Sequence, residues 1–119
     1  MVHFVEDGML TTKDLKFEVV QGDTRIFPGV EVLLTQGHTP GCQSVAVDTA
    51  HGKAIIAGFC SIKENFFPLD PINNAFPVIP PGISVNSLEA FDSTLRVKES
   101  ADIVIPLHEE EMLLRKSIP

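Results

Sequence analysis

The 119-residue chain is long enough for one domain with a buried core, but short for two. Its formal net charge of −7 argues against a nucleic-acid or anionic-membrane surface, because such surfaces attract clustered lysine and arginine. No apolar run approaches the roughly 20 residues of a membrane-spanning helix, and residues 1–10 lack the cationic start of a signal peptide. We therefore expect a cytoplasmic protein in which Cys42 and Cys60 are free thiols.

The first half of the chain predicts short strands separated by turns. Apolar and β-branched residues favour strands at 16–20, 24–27, 30–34, 44–48 and 53–57. The last two are joined by a short turn at 49–52 and predict a β-hairpin. Between the third and fourth strands, residues 35–41 contain two glycines, a proline and His38, a composition typical of a loop.

Residues 61–81 combine five prolines with three phenylalanines. Proline is incompatible with the interior of a helix or a central strand, whereas aromatic side chains favour burial. We expect a long Pro/Phe-rich loop over the core that buries Phe66, Phe67 and Phe76. The alternatives are a lid over a site or an arm over a neighbouring chain.

A helix is predicted from about residue 86 to 99, because Asn86 or Ser87 can cap its first turn. The apolar residues expected to face the core are Leu88, Phe91, Leu95 and Val97. Residues 102–107 predict a last buried strand, and His108 follows it directly. The acidic-to-basic order of residues 109–116 favours a short helical tail.

The four histidines form none of the compact metal-binding motifs. We interpret His3 and His51 as solvated residues of a terminus and a turn. His38, in the Gly-His-Thr-Pro-Gly loop, is more simply explained by hydrogen bonds that order the turn than by catalysis. His108 is the strongest candidate, since α/β proteins bind ligands at the carboxyl ends of their strands.

Cys42, Cys60 and His108 all fall at predicted strand–loop junctions. Two thiolates and an imidazole would form a partial zinc site if they converged, with one coordination position left open. The alternative is two inert thiols in the core, because free cysteine is among the most buried residue types. The spacing alone leaves both interpretations open.

Four sequence features resemble one known family. They are Pro28-Gly29-Val30, the loop Gly37-His38-Thr39-Pro40-Gly41, Gln43-Ser44 and Lys63-Glu64-Asn65-Phe66. This combination resembles the metallo-β-lactamase superfamily, and within it the N-acyl homoserine lactonase-like branch. The resemblance implies an αβ/βα sandwich of two similar halves, in which bound metal turns water into a hydroxide that attacks a carbonyl. This chain resembles the C-terminal half and is expected to be an α/β (α+β) unit, a single domain over residues 1–119 with one mixed sheet and helices on one face.

The chain departs from the family pattern at most metal ligands. The H-x-H-x-D-H motif of the first half is absent. Cys42 occupies the position where the family has a histidine. Phe59, with Cys60 next to it, occupies the position of the acidic residue that bridges two metals in the family. Ile62 occupies the position of a tyrosine. Only His108 matches a family ligand directly. The resemblance therefore implies a metal set of His108, Cys60 and Cys42 at most, with zinc as the metal.

Two classes of function follow. The chain is a fragment or degenerate member of the metal-dependent hydrolases, with little or no activity alone and a separate chain supplying the H-x-H-x-D-H half. Alternatively it is a non-catalytic module that forms a homodimer, because half a sandwich leaves one face of its sheet uncovered, with zinc bound through Cys and His at the interface.

Overall fold

Five strands form one mixed β-sheet, and their order across the sheet is their order along the chain. In the computed structural model, which describes residues 14–118, the strands are β1 (Thr24–Phe27), β2 (Val30–Leu34), β3 (Gln43–Thr49), β4 (Gly52–Ile56) and β5 (Ile103–Ile105). The first four pair antiparallel and β5 joins β4 in parallel. The predicted hairpin, β3–β4, is confirmed.

The crossover from β4 to β5 carries the helices. Helix α1 (Lys63–Phe66) follows β4, and helix α2 (Ser87–Ser100) precedes β5, with a short 3-10 segment at Ile72–Asn74 between them. A second 3-10 segment, Glu110–Leu114, follows β5. None of the helices in residues 14–118 has the length and apolar character needed to cross a bilayer.

The core lies between the sheet and the two helices. Leu33, Ala46 and Ile55 point from three neighbouring strands toward Phe66 of α1 and Val97 of α2, and all five are buried. Both helices therefore pack on the same face of the sheet. This arrangement confirms the expected α+β half-sandwich with one mixed sheet.

The opposite face of the sheet is apolar apart from Thr24, and we call it the aliphatic face. Residues paired across neighbouring strands share a face, so the register defines two rows. One row is Thr24, Val32, Val45, Ile56 and Ile105, and the other is Phe27, Val30, Val47, Ala54 and Ile103. Phe27 is 67% exposed and Ile56 37%, whereas Val32 and Ala54 are buried.

Several predicted elements differ from the structure. Residues 16–20 form no strand, and Phe17 and Val19 are largely exposed. The last strand is shorter than predicted, because Pro106 has no N–H to continue the ladder. The predicted tail helix at 109–116 is a 3-10 segment.

The predicted loop at 61–81 contains helix α1 and the Ile72–Asn74 segment. The Asn65 side chain accepts a hydrogen bond from the backbone N–H of Ile62 at 2.8 Å, which stabilises the first turn of α1. The expectation that all three phenylalanines are buried is right only for Phe66, since Phe67 is 49% and Phe76 56% exposed.

Helix α2 begins as predicted. The Asn86 side chain accepts hydrogen bonds from the backbone N–H groups of Leu88 and Glu89, both at 3.1 Å. The predicted inward face is wrong at Leu88, which is 80% exposed. It is right at Val97, which is buried, and the other buried residues of α2 are Ala90, Ser93 and Thr94. Small side chains let this helix approach the sheet closely, a demand that hydrophobic periodicity does not reveal.

Candidate functional site

The candidate site lies at one edge of the sheet. Strands β2, β4 and β5 run in the same direction, so their carboxyl ends and the start of β3 meet at this edge. Cys42 precedes β3, Cys60 follows β4 and His108 follows β5. The structure therefore brings all three predicted ligands to the same edge.

The loop containing His38 holds the start of α2. The Gly37 carbonyl accepts hydrogen bonds from the N–H groups of Val85 (2.8 Å) and Asn86 (3.0 Å). Gly37 has φ of 134°, and a Cβ there would lie 2.2 Å from the backbone nitrogen of Ala90. The loop thus packs its backbone directly on the helix, and glycine is required for that contact.

His38 hydrogen-bonds a backbone carbonyl, as its structural interpretation predicts. Its Nδ1 lies 2.5 Å from the carbonyl oxygen of Ile83. Because a carbonyl only accepts, Nδ1 carries the proton and donates. The contact joins the loop to the segment before α2.

A buried hydroxyl pair lies beneath the same edge. The Oγ1 of Thr35 and the Oγ of Ser44 are 2.8 Å apart, and the backbone N–H of Gly58 donates to Ser44 Oγ at 3.0 Å. Both hydroxyls are buried. The pair joins the ends of β2, β3 and β4. The sequence analysis placed Thr35 in a loop and Ser44 in a strand, and it did not predict this pair. The only signal is the period of the strand, which puts Ser44 on the same face as Ala46.

Cys42 is half-buried against the core, and its Sγ lies 3.0 Å from Thr39 Oγ1. The thiol is therefore engaged within its own turn. Cys60 is also half-buried, and both cysteines are free thiols, as expected.

Phe59 occupies the position that the resemblance assigns to a metal-bridging carboxylate. It is 3% exposed, belongs to the core cluster, and its ring centroid lies 6.0 Å from that of Phe66. The side chain thus points into the core instead of toward the edge. The neighbouring Ile62, at the tyrosine position, is 45% exposed.

His108 is exposed at the turn after β5. Its backbone N–H donates to the Ser61 carbonyl at 2.9 Å, and the backbone N–H of Lys63 donates to a carboxylate oxygen of Glu109 at 2.8 Å. These bonds join the segment after β4 to the segment after β5. They bring His108 and Cys60 to neighbouring stretches of backbone.

The residues at this edge do not fit a complete metal centre. Within the part of the chain that the structure describes, no group of three or more His, Cys, Asp and Glu side chains is placed to hold a metal ion. The assignment of His108, Cys60 and Cys42 as ligands therefore stays a prediction. His51 lies exposed in the β3–β4 turn, and His3 falls outside the described residues.

The clearest electrostatic feature lies at the carboxyl end of β2, around Leu34. Asp23 forms an ion pair with both guanidinium nitrogens of Arg96 and accepts a hydrogen bond from the backbone N–H of Leu34. The Arg96 hydrogen bond, with help from Leu34, lowers the pKa of Asp23. The pair attaches the segment before β1 to α2.

We compared the chain with known protein families, sequences and structures. No protein-family model matches the chain. An N-acyl homoserine lactonase of Bacillus thuringiensis is 28% identical over 99 residues, which are 82% of this chain and 37% of that relative. A lactonase of a Bacillus species is 36% identical over 55 residues, which are 44% of this chain.

Solved structures agree. An N-acyl homoserine lactone hydrolase, determined with N-hexanoyl-L-homoserine at its catalytic metal centre, superposes with a TM-score of 0.66 at 26% identity. The match covers 90% of this chain and 41% of that protein. A quorum-quenching N-acyl homoserine lactone lactonase gives a TM-score of 0.64 at 28% identity. The chain thus spans well under half the length of these relatives.

The fold is that of one half of a metallo-β-lactamase-like hydrolase. Within that class, the chain corresponds to the C-terminal part of the N-acyl homoserine lactonase branch.

Proposed function

We propose that this chain provides the C-terminal part of a metal-dependent hydrolase, and that these 119 residues have little or no activity alone. The main support for this proposal is the shortage of metal ligands at the carboxyl-end edge of the sheet. Residues 14–118 contain no metal-holding group of three, and Phe59 lies in the core where the resemblance expects a carboxylate. The relatives supply the substrate class, N-acyl homoserine lactones.

The missing ligands would come from a separate polypeptide with an H-x-H-x-D-H motif. The matched lactonases extend well beyond the segment that this chain covers. The edge formed by Cys42, Cys60 and His108 would then complete one wall of the shared site. The acidic surface gives no reason to expect nucleic acid or membrane as a partner.

The test is hydrolysis of N-hexanoyl homoserine lactone by the purified 119-residue chain with added zinc, with the B. thuringiensis lactonase as positive control. We expect no turnover above background. We also expect fewer than about 0.1 metal ion per chain after zinc-supplemented expression, because an incomplete ligand set binds weakly. Robust turnover that a chelator abolishes would contradict the proposal.

The second candidate is a non-catalytic module that binds zinc through Cys42, Cys60 and His108 where two chains meet. Their common position at one exposed edge favours it. His108→Ala should then lower the zinc content, whereas His51→Ala, an exposed turn histidine, should leave it unchanged. Equal zinc content in both variants would exclude His108 as a ligand. The free thiols suit a reducing compartment, and we propose a cytoplasmic location on that basis.

A further inference from the structure

An apolar groove lies between the start of helix α2 and the part of the Pro/Phe-rich loop that precedes it. Side chains of residues 72–80 line one side and side chains of residues 87–91 line the other. Its volume is about 570 Å³, within the range of roughly 300–1,000 Å³ that small-molecule sites occupy. Cys42, Cys60 and His108 do not line it, so it is separate from the predicted metal ligands.

The walls of the groove are almost entirely apolar. Of the eight side chains that line it, seven are hydrocarbon and the exception is the hydroxyl of Ser87. Val78 is 1% exposed, whereas the side chains of Phe76 and Leu88 are 56% and 80% exposed. The groove therefore keeps apolar surface in contact with water, and a ligand that covers this surface would gain free energy.

Hydrogen bonds fix the loop side of the groove in place. The carbonyl of Asn65 in α1 accepts from the backbone N–H of Ile79 at 2.8 Å, and its side-chain Nδ2 donates to the Ile79 carbonyl at 2.9 Å. Lys98 of α2 donates from Nζ to the carbonyl of Pro77 at 2.7 Å. The wall is thus attached to both helices before a ligand arrives, and a preorganised site loses less entropy on binding.

We propose that this groove binds the unbranched alkyl chain of an uncharged small molecule. Among the described residues, no charged side chain lines the groove, so a charge bound inside it would be unpaired. An extended peptide is disfavoured as well, because its backbone N–H and C=O groups would find only the Ser87 hydroxyl as a partner. An alkyl chain has no such groups along its length. The hydroxyl of Ser87 can both donate and accept, so it suits one uncharged head group such as an alcohol, ester or amide.

The experiment is a titration of the isotope-labelled full chain with n-hexanol, n-octanol and n-decanol, followed by amide chemical shifts in NMR. Each pair of added methylenes should tighten binding roughly tenfold, because both become buried. The largest shifts should fall in residues 72–80 and 87–91. Equal affinity for the three alcohols, or shifts concentrated on the aliphatic face of the sheet, would contradict the proposal. Absence of saturable binding up to the solubility limit of n-decanol overturns it and leaves a protein as the partner of the groove.

Three variants test the location of the site. Phe76→Asp and Leu88→Asp each place a carboxylate in the groove and should weaken n-decanol binding roughly tenfold or more, because the bound chain would desolvate that charge. Both side chains are largely exposed, so both variants should keep the circular dichroism spectrum of the wild type. Phe27→Asp is the matched control, since this phenylalanine is 67% exposed on the aliphatic face, and it should bind n-decanol like the wild type. Full binding by a folded Phe76→Asp or Leu88→Asp variant, or lost binding in Phe27→Asp, overturns the proposal.

The charge of the head group provides a separate test. Decanoate and n-decanol have alkyl chains of similar length, but decanoate would meet no basic side chain in the groove and a protein with a formal charge of −7. It should therefore bind roughly threefold or more weakly than n-decanol at low salt. Tighter binding of decanoate would contradict an uncharged ligand. None of these measurements involves turnover, so this proposal and the hydrolase proposal can fail independently.

Discussion

Replacing Phe59 with Asp tests whether the edge of the sheet can be restored as a metal site. The resemblance expects a carboxylate here, whereas the structure buries the ring in the core against Phe66. Loss of a buried phenylalanine costs about 3–5 kcal/mol through lost transfer free energy and the residual cavity. A buried carboxylate adds an unpaired polar group, which costs a further 1–3 kcal/mol or so.

The total of about 4–8 kcal/mol approaches the whole stability of a small domain. We therefore expect Phe59→Asp to be largely unfolded in water by circular dichroism, with no cooperative urea transition. Phe76→Asp is the control: its ring is 56% exposed, and it should cost less than about 1 kcal/mol. A folded Phe59→Asp variant with near-native urea midpoint and bound zinc would refute the placement of this side chain in the core.

Three further outcomes are expected. Gly37→Ala should lower the free energy of unfolding, measured in urea, by more than about 3 kcal/mol, because the added Cβ would overlap the backbone of Ala90. Gly41→Ala, with open space around the residue, should change the stability little. Equal effects of the two variants would contradict the contact between Gly37 and α2. Asn86→Ala should lower the free energy of unfolding by about 1 kcal/mol and reduce the helical circular dichroism signal. Unchanged stability would show that the Asn86 cap contributes nothing. Asp23→Asn should lower the free energy of unfolding by about 1 kcal/mol near neutral pH. The folded pKa of Asp23 lies below its ordinary value of 3.8, so the wild type should be more stable than the variant above about pH 5, and this difference should vanish as pH falls through the folded pKa. A stability difference that grows in acid would contradict the lowered pKa.

The effect of Asp23 is modest because the pair is partly exposed, with relative side-chain exposures of 38% and 41% for Arg96 and Asp23. Solvent screens such pairs. The asparagine of the Asp23→Asn variant keeps an oxygen that can accept from the backbone N–H of Leu34, and the bond to the Leu34 carbonyl is donated by Arg96, so the expected loss comes from the missing charge. Higher salt at neutral pH should therefore reduce the stability difference between the wild type and Asp23→Asn.

The sequence by itself determined four of the five paired strands closely, the start of α2 at Asn86 and the family resemblance. Each of these is a local property, because turn residues, alternating apolar residues and a capping side chain act within a few positions. It also placed Cys42, Cys60 and His108 at strand ends. That placement required only the order of elements along the chain.

Tertiary structure decided what each position faces. Sequence could not show that residues 16–20 form no strand, because pairing depends on a distant neighbour. Leu88 is exposed and Ala90 buried because the loop at Gly37 lies against α2, a contact between residues more than 50 positions apart. Phe59 and Cys60 are neighbours in the bend after β4, yet Phe59 is buried in the core and Cys60 is only half-buried. The two continuous rows of the aliphatic face exist only through the register of five strands, which no single strand specifies.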